Sequence, residues 1–425
     1  MLSFFKKKKK KVVIIGLDGV PYTLLNFYIE QGVMPNFKAM MGEGSFHKME
    51  TSLPEISSVA WTSFMTGKNP GEHGIFGFME LREGSYNMYF PNYTDVKAPT
   101  FWDAAGVQSV VLNVPQTYPA RALKGVMTSG FVALDLKKAT YPESAYNYLN
   151  SINYKIDVNA SLAKDNVPAF LKDLSFTFEK RREAIRHFFQ NEDWQIFIGT
   201  ITETDRLHHF FFHHALNDGE FHGEFINFYR KLDTFLGEMY EKTKKENALF
   251  LTCSDHGFTP IKTEVYINKW LIENGYLELT DKDEGIETIT ETSRAFCLDP
   301  SRIYIHLNGK YPKGTVKDSQ YQDLRNELAQ KLKSLVFNGD KVVKDVFFKE
   351  DIFKGHYADK GPDIYVLPNY GFDLKGTFNR ESVFGITHFR GMHTYDDAHL
   401  FISDKLSSSN FKIEDIAGIG SRHID

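Results

Sequence analysis

Val12-Val13-Ile14-Ile15-Gly16-Leu17-Asp18-Gly19 is the stretch that decides the fold. An apolar run without polar alternation ends abruptly at an acidic residue and a glycine. A run this short reads as a strand buried on both faces, and Asp18-Gly19 as the turn that leaves it. Comparable runs are expected as strands at Ser109–Val114, Trp194–Thr200, Ala248–Cys253, Ile303–His306, Asp363–Leu367 and His399–Ile402. Between them, helical patterns fall at Tyr22–Gln31, Ser58–Thr66, Phe176–Gln190, Phe221–Lys244 and Asp318–Leu335. Doubly buried strands joined by helices give an α/β fold: a three-layer α/β/α core with a mostly parallel sheet.

Working outward, residues 1–11 precede the first strand as a basic arm, MLSFF followed by Lys6 to Lys11. A secretory signal requires a longer apolar region and a small-residue cleavage site, and Val12–Leu17 is the first core strand instead. The arm reads as solvated. Its sharper reading is weak contact of Lys6–Lys11 with an anionic membrane surface. On the other side, residues 12–260 form the first part of the core. Residues 261–390 carry strands and turns of their own and read as an inserted cap with some core elements; residues 391–425 return to the core. The stretch Thr140–Asp173 is less regular and is expected to pass near the site.

Composition narrows the function classes. The chain has 425 residues, 42% hydrophobic and 25% charged, which fits a large globular α/β protein. A net charge of −5 gives no footprint for a nucleic-acid polymer. The two cysteines, Cys253 and Cys297, cannot build a disulfide framework or a thiolate metal knuckle, and a cytoplasmic setting follows.

The polar residues cluster where chemistry would be expected. Asp18 follows the first strand, Thr202–Asp205 a second and Ser254-Asp255-His256 a third. In open α/β sheets, sites assemble outside the carboxyl ends of the strands. In DRLHHFFFHH (205–214), Asp205, His209 and His213 lie at i, i+4 and i+8, one stripe of a helix, and a carboxylate and an imidazole at i, i+4 can grip one divalent ion. Each piece also has a plainer reading: Asp18-Gly19 as a turn, Asp255-His256 as a cap, His393 in GMHTYDD as a surface histidine. Only the set carries weight. Ser57 and Ser58 open the helix of LPEISSVAWTSFMTG (53–67). The unpaired N–H groups and positive dipole end there suit a phosphoryl anion, and one serine can cap the helix while the other reacts.

Six motifs in this order, GLDGV, MPNF, the run ending in TGKNPGEHGIFGF, TETDRLHH, SDHGF and GMHTYDDAHLF, resemble those of the alkaline phosphatase superfamily. They are most similar to its type I phosphodiesterase/nucleotide pyrophosphatase branch and span about residues 12–402. NVPQTYPARALKGVMTSGF, SRIYIHLNGKYPKG and GPDIYVLPNYG further resemble a subgroup of phosphohydrolases or phosphomutases.

The resemblance implies two divalent ions, Zn or Mn, one held by Asp18, Asp255 and His256, the other by Asp205, His209 and His393. It implies that Ser57, ten residues before Gly67, is the nucleophile, also contacts a metal, and forms a covalent phosphoserine from a small phosphate ester. Phosphodiesterase action is the first expectation. A phosphomutase, a phosphomonoesterase and a non-catalytic scaffold retaining the fold are the alternatives. A sulfatase needs a CxPxR-like context, which is absent. In one place the chain departs from the branch. Nucleotide pyrophosphatases carry an asparagine three residues after the nucleophile, where this chain has Ala60. Helix N–H groups, or cap residues such as Arg294 or Arg302, are the candidates to replace that contact.

Overall fold

The computed structural model describes residues 9–216, 219–406 and 410–424. A 9-stranded sheet organises the chain. Its strands are β1 (Val12–Leu17), β2 (Ser45–Glu50), β3 (Ser109–Val114), β4 (Gly125–Ser129), β5 (Thr140–Tyr141), β6 (Ile196–Ile201), β7 (Leu249–Cys253), β8 (Ala398–Ile402) and β9 (Phe411–Lys412). They lie in the order β9-β2-β8-β7-β1-β6-β3-β4-β5. The central strands β7, β1, β6, β3 and β4 are parallel, with β1 in register from Val12↔Ile196 to Leu17↔Ile201 against β6. Antiparallel pairings join β8 to β7 and β2, and β5 to β4.

The two-residue period of the strands divides the core in two. Val13, Ile15 and Leu17 pack on one face with Leu24, Tyr28, Phe188 and Leu232. Val12 and Ile14 pack on the other with Trp61, Phe64 and Ile416. Full burial of each such side chain contributes about 1.5–3 kcal/mol, which explains why β1 tolerates no polar position. Helices cover both faces. Val167–Asn191 and His222–Glu246 lie on the first, and Ser57–Thr66 and Asp415–Ile424 on the second. The helix expected over Phe176–Gln190 starts earlier, at Val167, because the Asn166 side chain caps it by accepting the Ala169 N–H and Pro168 fits its first turn.

Between Val265 and Leu374 a third core cluster forms. It is built on a four-stranded sheet of Ala295–Leu298, Arg302–Ile305, Ile364–Pro368 and Val343–Phe348, with Leu324, Leu328 and Leu332 of helix Asp318–Lys333 packed against it. Tyr86 reaches this cluster from the core side, its hydroxyl 2.6 Å from His306 Nε2. The chain leaves and re-enters the core through a two-stranded antiparallel ribbon, Gly257–Pro260 against Gly391–Thr394, with Phe258 opposite His393.

Lys6–Lys8 lie outside the described residues. Lys11 is held at the start of β1, 2.8 Å from Glu246 and over the Trp194 ring. No helix among the described residues is long and apolar enough to cross a membrane.

Candidate metal centre

β1 delivers Asp18 to the carboxyl edge of the sheet, where its N–H bonds to Ile201 O at 2.9 Å. Gly19 then turns with φ +65°, and its N–H donates to Asp255 Oδ1 at 3.0 Å. A Cβ at Gly19 would lie 2.7 Å from the Phe258 ring, so both backbone angle and space require glycine there. β6 ends in helix Glu203–Phe211, which carries Asp205 and His209 one turn apart. β7 ends in Ser254-Asp255-His256, and the returning ribbon strand carries His393.

These residues converge into two groups. Asp18, Asp255 and His256 each place a ligand atom within 4.8 Å of the others, as do Asp205, His209 and His393. His213 joins neither. The helix ends at Phe211 and tightens into a 3₁₀ turn over Phe212–His214, which takes His213 off the stripe that strict helical spacing implies.

Second partners set all three imidazoles alike. Nδ1 of His256 meets Gly257 O at 3.0 Å, Nδ1 of His209 meets Gly391 O at 3.3 Å, and Nδ1 of His393 meets Glu55 O at 2.9 Å. A carbonyl only accepts, so each Nδ1 carries the proton and each Nε2 presents its lone pair inward. The lone pairs point at one another and at carboxylates. His393 Nε2 lies 3.1 Å from His209 Nε2, and Asp205 Oδ2 lies 3.3 and 3.4 Å from His209 and His393. Asp205 Oδ2 and Asp255 Oδ2 are buried without a hydrogen-bond partner. An acceptor-only cavity of this kind is costly unless cations fill it, and carboxylates with imidazoles are the donor set of a divalent ion.

The electrostatics agree. Burial pushes the Asp18 carboxyl well above the usual carboxylate range, and the charges of Asp255 and Asp205 add to the effect. Burial also lifts Asp255 to about 7. At Asp205 burial acts the same way, opposed by the positive charge of the neighbouring Arg206. Burial drives His256 far below the usual imidazole range.

Ser57 opens its helix with its Oγ 3.3 Å from Asp18 Oδ1 and 3.2 Å from His256 Nε2. Ser58 Oγ, one residue on, is buried with no partner. The first helical bonds run from Val59 and Ala60 to Ile56 O, ahead of which lie the N–H groups of Ser57 and Ser58. Ala60 is fully buried and its methyl offers no donor. Neither cap arginine takes that place. Arg302 is buried against Met79 O and Asp299 O, and Arg294 lies over the Tyr276 ring.

Several residues that brace the site carry no signal in a single sequence. Trp61 Nε1 donates to Asp18 Oδ2 at 3.1 Å, and Gly16 leaves room for its indole, since a Cβ there would sit 2.5 Å from the ring. Thr204 Oγ1 donates to Asp18 O at 2.6 Å. His208, between Asp205 and His209 in sequence, donates from Nδ1 to Gly19 O and meets the Tyr229 hydroxyl through Nε2, both at 2.8 Å. Asp157, from the irregular excursion, forks Arg206, which in turn contacts Asp205 at 3.3 Å.

The profile of the type I phosphodiesterase/nucleotide pyrophosphatase family matches residues 12–396. The chain belongs to that family. It is thereby an enzyme of the alkaline phosphatase superfamily, a metal-dependent phosphoric ester hydrolase. No curated protein matches the sequence significantly. Among solved structures, phosphonoacetate hydrolase from Sinorhizobium meliloti 1021 in complex with phosphonoformate has TM-score 0.68 at 18% identity, covering 98% of this chain and 96% of that one. Wild-type alkaline phosphatase PafA has TM-score 0.60 at 14% identity, with 98% and 96% covered. Murine ectonucleotide pyrophosphatase/phosphodiesterase 5, in an inactive form in complex with AMP, has TM-score 0.58 at 13% identity, with 98% and 95% covered. At such identities these likenesses establish a shared fold.

Proposed function

We propose that this family member is a two-metal phosphodiesterase acting through a covalent phosphoserine at Ser57. The observation that carries the reading is the position of Ser57 Oγ, within 3.3 Å of Asp18 and His256, at a helix N-terminus beside two carboxylate–imidazole groups. Asp18, Asp255 and His256 would hold one divalent ion and Asp205, His209 and His393 the other; Zn²⁺ or Mn²⁺ suits these donors. Such ions supply charge stabilisation for the attacking and leaving oxygens of an in-line displacement.

The chain's own residues do the rest. Ser57 Oγ, oriented by its hydrogen bond to Asp18, bonds to phosphorus as the bond from phosphorus to one alcohol oxygen breaks, and that alcohol departs with the proton the serine gives up. The N–H groups at the helix start receive the phosphoryl oxygens. Water then attacks the phosphoserine, and Ser57 Oγ leaves with its proton restored. The region 261–390 acts as a cap over this centre. The two cysteines are buried and free, which suits a reducing cytoplasmic setting.

Steady-state hydrolysis of bis(p-nitrophenyl) phosphate and p-nitrophenyl phosphate by the metal-loaded protein tests the reading. The diester is expected to be the better substrate. Turnover of the monoester alone would replace the phosphodiesterase assignment with a phosphomonoesterase one.

A further inference from the structure

A cleft of about 310 Å³ opens beside His209 and His393. Its floor includes Glu55 and Ile56, the two residues before Ser57. Phe78, Met79, Phe90, Phe389 and Met392 supply much of its apolar lining. The turn at Asp299–Ser301 and the strand Phe372–Lys375 close it from the side of residues 261–390.

The charged side chains of this lining are already engaged. Lys375 Nζ lies 2.7 Å from Asp373 Oδ2. Asp299 Oδ1 accepts the Gly376 N–H at 2.5 Å. The Glu55 carboxylate accepts the Tyr365 hydroxyl. A second anionic group on a ligand would therefore face Asp299 and Asp373 with no unpaired cation among the described lining residues to meet it, at a cost that rises as the cleft excludes water. The apolar walls have no such partner. Phe90 stands at 62% exposure on this cleft, so its ring is the surface that a bound apolar group would withdraw from water.

We infer that the cleft receives an uncharged apolar substituent, an alkyl chain or aryl ring, of an ester whose phosphorus lies at Ser57. This rests on the reading of Ser57 and the two ligand groups as a phosphoester site. It separates the substrate from esters whose organic part carries further phosphates or carboxylates.

Calorimetric titration of the metal-loaded protein with methyl-, butyl- and hexylphosphonate tests it without turnover. Affinity is expected to rise roughly fourfold per buried methylene until the chain fills the cleft. A hexylphosphonate bearing a terminal carboxylate is expected to bind at least about tenfold more weakly than hexylphosphonate, the cost of one more anion beside Asp299 and Asp373. Phe90→Ser, on the exposed wall, should make the rise shallower while leaving methylphosphonate affinity unchanged. Binding that ignores chain length, or a rise unchanged in Phe90→Ser, overturns the cleft assignment alone. Failure of every phosphonate to bind overturns the phosphoester site together with it.

Discussion

His209 Nε2 and His393 Nε2 face each other at 3.1 Å, while both rings donate from Nδ1 to backbone carbonyls. Two lone pairs at that separation repel unless a cation lies between them, which is what the proposed metal site would supply. His393→Ala should lower bound metal from about two equivalents to about one, read by elemental analysis after dialysis. Retention of two equivalents would remove His393 from the ligand set.

Phe258 is the shared brace of these rings. Its own ring lies 4.9 Å from His209, 5.1 Å from His393, 5.1 Å from His208 and 5.7 Å from His256. Phe258→Leu keeps an apolar side chain but loses the aromatic ring that the imidazoles of His208, His209 and His393 meet edge to face. Metal affinity should fall on the order of tenfold, as for loss of other outer partners of metal ligands, with thermal stability nearly unchanged. Competition with a chelator measures it, and an unaltered dissociation constant would reduce Phe258 to a packing role.

Arg181 and Glu203 form an ion pair of 3.0 Å with both side chains wholly inaccessible. The pair ties the long helix Val167–Asn191 to the start of the helix that carries Asp205. Arg181→Ala strands a buried carboxylate and should cost about 3–5 kcal/mol in urea denaturation. The double change Arg181→Met with Glu203→Gln should cost distinctly less, because no charge is left behind. Equal losses would mean the charge is not the cause.

Buried neutral histidines make the fold acid-sensitive. Burial pulls His73 down to about 3 and His399 to about 4, whereas unfolded imidazoles titrate near 6.5. The unfolded chain therefore binds more protons between those values. Stability from these residues is complete above about pH 6.5 and falls as pH drops, by about 1.4 kcal/mol per unit for each histidine. Denaturation at a series of pH values should show this slope, and His73→Gln should remove about one proton from it. An unchanged slope in that variant would mean His73 is already protonated in the folded protein.

The fold was largely legible because burial on both faces writes itself as unbroken apolar runs, of which β1 is the clearest. The carboxylates and imidazoles at strand ends were legible for a related reason: a polar cluster directly after such a run has no role in the core. What stayed hidden depends on contacts between distant segments. Trp61 reads as one more core aromatic until its indole N–H is seen on Asp18. His208 reads as a neighbour of His209, yet faces the Gly19 turn instead. His213 shares the stripe by spacing alone, since periodicity cannot show where a helix tightens into a 3₁₀ turn. The cap arginines were misjudged because nothing in a sequence tells a buried structural guanidinium from one that faces a ligand.

Ser58 separates the proposed nucleophile from its neighbour. Its hydroxyl is buried and unpartnered, so Ser58→Ala should leave turnover within about twofold and stability unchanged or slightly raised.

The most direct measurement is mass spectrometry of the enzyme quenched in acid during turnover of a phosphodiester. A phosphoryl adduct is expected on the peptide containing Ser57, absent from Ser57→Ala protein that still binds about two metal equivalents and no longer turns over. An adduct on Ser58, or undiminished turnover by Ser57→Ala, would contradict it.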